Sequence, residues 1–357
     1  MFKFFFWLLV ILLIVFRFFY LRPNFIDGSR IRISSERIGS EPLRFEKSQR
    51  ITILGLKAYL PLYPEINYGD MVTVEGRVNL KKKTLDEAKL IKLEKGNSFY
   101  KLRERLILFY QKYLPEPHSS LVAGMVLGSK ASLPYDFWQN LKKTGTAHVV
   151  VASGMNVSLI AGFLASFFII FLKRRYALLL SLLGIWFYAF LCGFEAPIIR
   201  ASIMGSLSFI AVIFGRMNLA LRALFVSFFL MLIFNPYFIF DVGFILSFAA
   251  TLSLILFQKK VDNFLRFIPS FLREGFSTSL AAQILVAPIL YFTFGYFSIY
   301  SPLINGLVLW TVPYITILGM LSGIFSLFIP FLGRFLLLLS YPLIFWFVSL
   351  VNLLGSI

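Results

Sequence analysis

Long apolar runs fill the chain from residue 148 to its C-terminus and are separated by short polar connections. Each run is close to the roughly 20 apolar residues that an α-helix needs to cross the bilayer. One run contains Pro302 and Pro313 and is long enough to kink, so the count of about eight helices is open by one or two. The runs cover residues 149–172, 176–194, 197–214, 221–234, 242–257, 277–294, 299–328 and 335–354. The sequence predicts a polytopic α-helical membrane protein.

Composition excludes a soluble enzyme. Hydrophobic residues make up 59% and charged residues 15% of the 357 residues, against roughly 25% charged in soluble domains. The net charge of +18 suits anionic lipid headgroups or a nucleic acid. Cys192 is the only cysteine and there are two histidines, so we predict no disulfide, no metal site and no cofactor.

Charged residues concentrate near the N-terminus. Residues 22–143 hold 22 basic and 13 acidic side chains, and residues 4–20 before them are apolar except for Arg17. No small-x-small cleavage site follows, which favours a retained anchor over a signal peptide. We therefore divide the chain into four parts, and count eight to nine transmembrane helices with the anchor included. The parts are an N-terminal transmembrane anchor (1–21), an extracytoplasmic domain (22–98), amphipathic and surface helices (99–147) and a transmembrane domain (148–357).

The polar domain has the period-two alternation of β-strands. Ile31 and Ile33 alternate with arginines, and residues 69–78 alternate valine with other residues. Turn residues divide the segment into about five short strands, which favours a small all-β barrel of the OB type. Such a barrel binds single strands with basic grooves and stacked aromatic rings, although its few aromatic residues fit core or loop positions equally well. The basic candidates are Arg30, Arg32, Arg50, Lys57, Lys81, Lys82 and Lys83.

Residues 99–114 have the pattern of an amphipathic basic helix, with Leu102, Leu106, Phe109 and Tyr113 on one face. Two placements fit this pattern: the plane of the membrane interface, or the surface of the barrel. Residues 119–128 and 133–143 are too short to span, so we expect both to pack against the bundle.

The short loops predict the orientation. Basic residues fall on one side of the membrane if the helices alternate, and that side is the cytoplasm by the positive-inside rule. These residues are Lys173, Arg174, Arg175, Arg216, Arg222, Lys259, Lys260, Arg266, Arg273 and Arg334. We therefore expect a multi-pass protein of the cytoplasmic (inner) membrane, with the OB-like domain outside the cytoplasm.

The first bundle helix carries Gly154, Ser158, Gly162 and Ser166 at four-residue spacing, a stripe that lets another helix approach closely. Asn156 lies about 200° around the helix from Gly154, where an amide facing lipid is costly. The helix should therefore be enclosed on both faces, with Asn156 against another helix or a hydrated path.

Other polar residues in the apolar runs are candidates for the wall of a polar path, but each also has an ordinary structural explanation. Arg200 needs a partner, water, or a position from which it snorkels to the headgroups. Glu195 and Asp241 fall at helix ends, where a carboxylate commonly caps. Gln283 and Asn305 are amides that commonly join neighbouring helices. The candidates for the wall of a polar path are Ser153, Gly154, Asn156, Arg200, Glu195, Asp241, Gln283 and Asn305.

Several motifs in order resemble the ComEC family of competence proteins. Residues 127–163 read LGSKASLPYDFWQNLKKTGTAHVVVASGMNVSLIAGF, and further matches are PIIRASIM at 197–204, GR at 215–216, NPYFIFDVGFILSFAATL at 235–252 and SPLINGLVLWTVP at 301–313. The resemblance implies a channel for single-stranded DNA across the cytoplasmic membrane during natural transformation. It also implies an extracytoplasmic DNA receptor and a cytoplasmic helicase-like ATPase as partners, besides DNA and the lipid bilayer. Whether the chain forms a homo-oligomer is left open.

The sequence departs from the family pattern at two positions. Asn156 stands where family members typically have histidine, and Ile245 where they have glutamine. Many relatives also continue into a metallo-β-lactamase-like domain with a His-rich motif that this sequence lacks, so we expect strand degradation to depend on another protein.

Two alternatives remain beside the channel. The first is a membrane hydrolase that uses Ser153, His148 and Asp241, although a five-residue spacing separates Ser153 from His148 by about 140° on a helix. The second is a structural membrane protein that conducts nothing. Because no Walker loop or Gly-x-Ser-x-Gly elbow is present, we predict that the chain is not an enzyme.

Overall fold

A computed structural model describes residues 2–20, 25–39, 41–45, 47–96, 98–129, 133–150, 153–214, 220–295, 298 and 300–356. The border that we placed between residues 21 and 22, and the motif residues Gly215 and Arg216, lie outside the described residues.

The described residues form fourteen α-helices, two 3-10 turns and one sheet. The helices are α1 (Phe2–Tyr20), α2 (Ser98–Tyr113), α3 (His118–Leu127), α4 (Tyr135–Lys143), α5 (Ala147–Val150), α6 (Gly154–Phe171), α7 (Arg174–Leu191), α8 (Ala196–Ile213), α9 (Ala220–Phe234), α10 (Val242–Phe264), α11 (Ser270–Phe294), α12 (Ser301–Val308), α13 (Val312–Ser326) and α14 (Pro330–Gly355).

Seven apolar helical segments in the described part of the chain are long enough to cross a membrane. They comprise α6, α7, α8, α10, most of α11, α12 with α13, and α14, and they confirm a polytopic helical membrane protein. The run at 299–328 is divided by a 3-10 turn at Leu309–Thr311, just before Pro313. The helix in the 221–234 run is α9, whose 15 residues extend about 22 Å, less than the roughly 30 Å of hydrocarbon.

The N-terminal domain is a six-stranded mixed sheet, so a sheet domain at this position is confirmed. Its strands are β1 (Arg30–Arg37), β2 (Leu43–Arg44), β3 (Ser48–Ile53), β4 (Leu56–Pro61), β5 (Met71–Asn79) and β6 (Thr84–Glu94), in the spatial order β1-β5-β6-β4-β3-β2. β4 and β6 are parallel, and the other pairs are antiparallel. The alternating residues of β4 bury Leu56, Ala58 and Leu60 in the core of the domain. Because β1 and β2 are the edges in the described pairings, closure into an OB-like barrel stays a prediction.

α2 runs along the helical bundle. Its Tyr110 is fully buried and donates a hydrogen bond from Oη to the carbonyl of Gly319 in α13, at 2.9 Å. Near the end of α2, the ring of Tyr113 lies 5.4 Å from the guanidinium of Arg334 in α14. Its first turns contact the sheet domain, through Tyr100, Arg103 and Glu104, so neither of the two placements that we considered describes the whole helix.

The sheet domain lies at one end of the bundle. The ring of Tyr68 packs against Gly193, in the turn after α7, and the ring of Tyr100 lies 5.4 Å from that of Phe190. The opposite ends of α6 and α7 join at Lys173, next to Arg174 and Arg175. The sheet domain therefore lies at the end of these helices opposite this basic loop.

Candidate functional site in the helix bundle

Arg200 is a buried cation in the first turns of α8. The residue is 8% exposed, and its Nε donates a hydrogen bond to Ser247 Oγ of α10 at 2.7 Å. The guanidinium lies 5.9 Å from the ring centre of Phe248 and also contacts Met204. Within the described residues it forms no ion pair with a carboxylate. The bundle therefore holds an arginine whose charge is solvated by a hydroxyl, an aromatic face and a sulfur atom.

Gly154 is the first residue of α6 and lies directly against Arg200. A Cβ atom at position 154 would stand 2.7 Å from Arg200 Nη2 and 3.4 Å from the Cβ of Ala201. A side chain does not fit there unless the guanidinium moves. The close helix approach that we predicted for the small-residue stripe therefore occurs at Gly154. It does not occur at Gly162, where an added Cβ would have nothing within 4 Å among the described atoms.

Ser153 precedes α6 in the N-cap position, but its side chain does not cap the helix. Its Oγ is buried and has no hydrogen-bond partner in the described part of the protein. A buried hydroxyl without a partner is costly, so this atom is available to a ligand or to water.

Asn156 joins α6 to α3. The side chain is fully buried, and its Nδ2 donates to the carbonyl oxygen of Met125 at 2.8 Å. Its Oδ1 has no hydrogen-bond partner among the described residues. With Gly154 against α8 and Asn156 against α3, the first turns of α6 are enclosed on both faces, as we predicted.

The two candidate carboxylates, Asp241 and Glu195, both lie at the N-terminal ends of helices. Asp241 caps α10, since its Oδ1 accepts a hydrogen bond from the backbone N–H of Phe244 at 2.7 Å and the residue is exposed. Glu195 is half-buried and takes the N-cap position of α8. His148, from the hydrolase alternative, contacts the carbonyl oxygen of Gly145 through Nδ1 at 2.9 Å. No hydrogen bond within the described residues connects His148, Ser153 and Asp241 to one another.

The two amides differ in their surroundings. Asn305 is buried, and its Nδ2 donates to Ser279 Oγ of α11 at 2.8 Å and to Ser301 Oγ at 3.0 Å. It therefore serves as the interhelical bridge that we considered for such residues. Gln283, one turn beyond Ser279 on α11, is half-buried and forms no hydrogen bond with the described residues.

The basic residues of the sheet domain fall mostly at one end of the sheet. Lys81, Lys82 and Lys83 form the turn between β5 and β6, and the backbone N–H of Lys57 donates to the carbonyl of Lys83 at 2.9 Å. Because β5 extends from the bundle side at Met71 to this turn, these lysines lie at the end far from the helices. We call Lys57 and Lys81 to Lys83 the distal lysine group.

The three candidate arginines of the sheet domain lie outside the distal lysine group. Arg30 begins β1 near the same end, and its Nε lies 2.7 Å from the carboxylate of Glu75. Arg32 is opposite Glu75 on the edge strand β1, and Arg50 is half-buried in β3. The charge of Arg30 is thus partly neutralised by Glu75.

A polar junction between the sheet domain and the bundle escaped the sequence analysis. Arg103 of α2 is buried, its Nη1 lies 3.1 Å from Glu41 Oε1, and its Nη2 donates to the carbonyl of Leu127 at 3.3 Å. Ser129 Oγ donates to the same Glu41 oxygen at 2.7 Å. The ring of Tyr68 lies 5.2 Å from the Arg103 guanidinium. The sequence showed only that Arg103 is a basic residue on an amphipathic helix. This pattern does not predict that Arg103 pairs with Glu41.

Comparisons with known proteins concern the bundle part of the chain. A family model described as competence protein matches residues 125–357. The chain is 28% identical over 227 residues to ComE operon protein 3 of Bacillus subtilis (strain 168), which is 63% of this chain and 29% of that protein. It is 30% identical over 230 residues to an uncharacterized protein of Aquifex aeolicus (strain VF5), which is 63% of this chain and 55% of that protein. No solved structure matches the chain.

Proposed function

The chain belongs to the competence protein family, and on this basis we propose that its helix bundle passes a single strand of DNA across the cytoplasmic membrane. The aligned part spans 29% and 55% of the two relatives, so the activity, substrate and partners of the whole relatives come to this chain as proposals.

The observation that carries this proposal is the position of Arg200. A polyanion that crosses about 30 Å of hydrocarbon needs cationic contacts inside the bundle, because phosphates cannot leave water without a compensating charge. Arg200 offers such a charge between α6, α8 and α10, without an ion pair to a described carboxylate. An arginine that served only the fold would be expected to have a fixed acidic partner when buried.

The basic loops support an orientation for this passage. The loop at Lys173 to Arg175 lies at the end of α6 and α7 opposite the sheet domain. By the positive-inside rule this end faces the cytoplasm, and the sheet domain faces outward. The distal lysine group then points away from the membrane, where incoming DNA would first meet it.

The remaining parts of the proposal concern partners. We propose that the chain itself is not an enzyme, and that a cytoplasmic helicase-like ATPase pulls the strand while an extracytoplasmic receptor delivers it. An OB-like use of the sheet domain, with the strand held along basic residues, belongs to the same proposal.

Charge reversal at Arg200 tests the proposal. In transformable cells that depend on this chain, Arg200→Glu should abolish uptake of labelled DNA into the cytoplasm, while Arg200→Lys should retain part of it. Arg222→Glu, an equal charge change at an exposed position in α9, is the matched control. Protease accessibility of the sheet domain in whole cells reports insertion and orientation. Normal uptake by an inserted Arg200→Glu chain would refute the proposal.

A further inference from the structure

The N-terminus of α6 and the guanidinium of Arg200 form an electrostatic conflict. The first turn of an 18-residue helix carries a partial positive charge of roughly half a unit. The N–H groups of Asn156 and Val157 donate to the carbonyl of Ser153, which leaves those of Gly154 and Met155 without a partner inside the helix. Arg200 brings a full positive charge to the same place, since its Nη2 lies 2.7 Å from where a Cβ of Gly154 would be. Two positive groups this close are unfavourable in a buried setting unless an anion lies between them.

The donors at this place are incompletely used. Arg200 Nε is bonded to Ser247 and Nη1 contacts Met204, whereas Nη2 has no hydrogen-bond partner among the described residues. Ser153 Oγ, immediately before the helix, is buried and unpaired. A guanidinium edge thus lies at the start of α6, next to the N–H groups of Gly154 and Met155 and to the residue that carries the unpaired hydroxyl, Ser153.

We propose that Ser153, the first turn of α6 and Arg200 form a binding site for a phosphate oxyanion. A helix N-terminus favours phosphate through its N–H groups, and an arginine fork matches two of its oxygens. Gly154 belongs to the site because the absence of a Cβ lets the guanidinium reach the helix end. The identity of the phosphate rests on the proposed function. We take it to be one phosphodiester of the DNA strand, held briefly as the strand passes.

Binding of inorganic phosphate to the purified full chain in detergent tests the site directly. Titration calorimetry at constant ionic strength should show binding to the unaltered chain. Arg200→Gln should weaken it roughly 10-fold to 100-fold, as loss of charge-assisted hydrogen bonds does. Gly154→Ala should weaken it in the same direction with no charge removed, because the added methyl displaces Nη2.

Two control variants separate the site from general effects. Gly162→Ala adds the same methyl to the same helix, where nothing described lies within 4 Å, and should bind phosphate normally. Arg222→Gln removes an equal charge at an exposed position and should also bind normally. Thermal unfolding of each variant in chloride shows which chains are folded. The site is overturned if the unaltered chain binds no phosphate, or if folded Arg200→Gln and Gly154→Ala bind it as the controls do.

Competition distinguishes the two natural sources of a phosphodiester. A short thymidine oligonucleotide should displace phosphate from the unaltered chain, whereas a short-chain phosphatidylglycerol at equal phosphate concentration should not. Displacement by the lipid alone would overturn the assignment to DNA.

The site and the proposed function can fail separately. Phosphate binding that is lost in Arg200→Gln, with normal DNA uptake by the same variant, would refute the role of Arg200 in transport and leave the anion site in place. Lost uptake with unchanged phosphate binding would refute the site and leave the transport proposal in place.

Discussion

Glu41 and Arg103 form a buried ion pair that fastens the sheet domain to the bundle. Their side chains are 13% and 8% exposed, and Oε1 of Glu41 lies 3.1 Å from Nη1 of Arg103. The same glutamate oxygen accepts a hydrogen bond from Ser129, which follows α3. One carboxylate thus connects the sheet domain, α2 and the segment after α3.

Breaking this pair should loosen the domain. We expect Arg103→Met to lower the free energy of unfolding by about 2 to 3 kcal/mol, because it removes the charge-assisted hydrogen bonds of Arg103 to Glu41 and to the carbonyl of Leu127. Pulse proteolysis of the detergent-solubilised chain measures this loss. Glu75→Gln removes the partner of Arg30 in an exposed pair, and should cost about 1 kcal/mol or less. Equal losses in the two variants would contradict the structural importance of the buried pair.

Tyr68 predicts a dependence of stability on alkaline pH. Burial, and next the neighbouring Tyr100, raise the pKa of Tyr68 to about 12 in the folded chain, against about 10 for an unperturbed tyrosine. The unfolded chain therefore loses this proton first as the pH rises. The stabilisation from neutral Tyr68 is complete below about pH 10 and is lost as the pH rises to about 12.

Comparison with Tyr68→Phe isolates this effect. The phenylalanine variant cannot ionise at this position, so its stability should fall less steeply between about pH 10 and pH 12 than that of the unaltered chain. Unfolding followed by near-ultraviolet circular dichroism across this range measures both slopes. Parallel slopes would show that Tyr68 has its ordinary pKa in the folded protein.

Sequence periodicity predicted the elements better than it predicted their contacts. Alternation over residues 69–78 marked β5 at Met71–Asn79, and the apolar runs marked α6, α7 and α8 within a few residues. Both signals are local, since burial of one face imposes the period of the element itself. The depth of α2 was not predictable in this way, because an amphipathic helix fits a lipid surface, a sheet or a bundle equally well.

For the candidate site, too, the sequence predicted the residues but not their contacts. Gly154 and Arg200 were each singled out, one as a small residue and one as a charge in an apolar run. Their contact depends on the missing Cβ of the glycine and on the packing of α6 against α8, which no spacing in the sequence encodes. Glu41 and Arg103 are 62 residues apart, and such a pairing is fixed only by the tertiary fold.

Asn156 should matter for how α6 packs on α3. Asn156→Leu keeps a similar volume but removes the donor to the Met125 carbonyl, so we expect a loss of about 1 to 2 kcal/mol in the free energy of unfolding. Ser158→Ala, on the same helix, removes a hydroxyl that bonds only to the carbonyl of Gly154 among the described residues, and should change stability by about 0.5 kcal/mol or less. An Asn156→Leu chain as stable as Ser158→Ala would mean that the amide does not join the two helices.

The turn lysines should carry part of the electrostatic attraction to DNA. If Lys81, Lys82 and Lys83 contact phosphates of a single strand, replacing all three by glutamine removes three contacts and lowers the slope of log affinity against log salt by about 2. Fluorescence anisotropy of a labelled thymidine oligonucleotide on the full chain, at several salt concentrations, measures this slope. The matched control replaces Lys47, Lys89 and Lys92 by glutamine, which removes the same charge outside the distal lysine group. An equal drop in slope for both triple variants would mean that net charge alone attracts the strand, whereas a drop confined to the turn variant locates the contact at the outer end of the sheet.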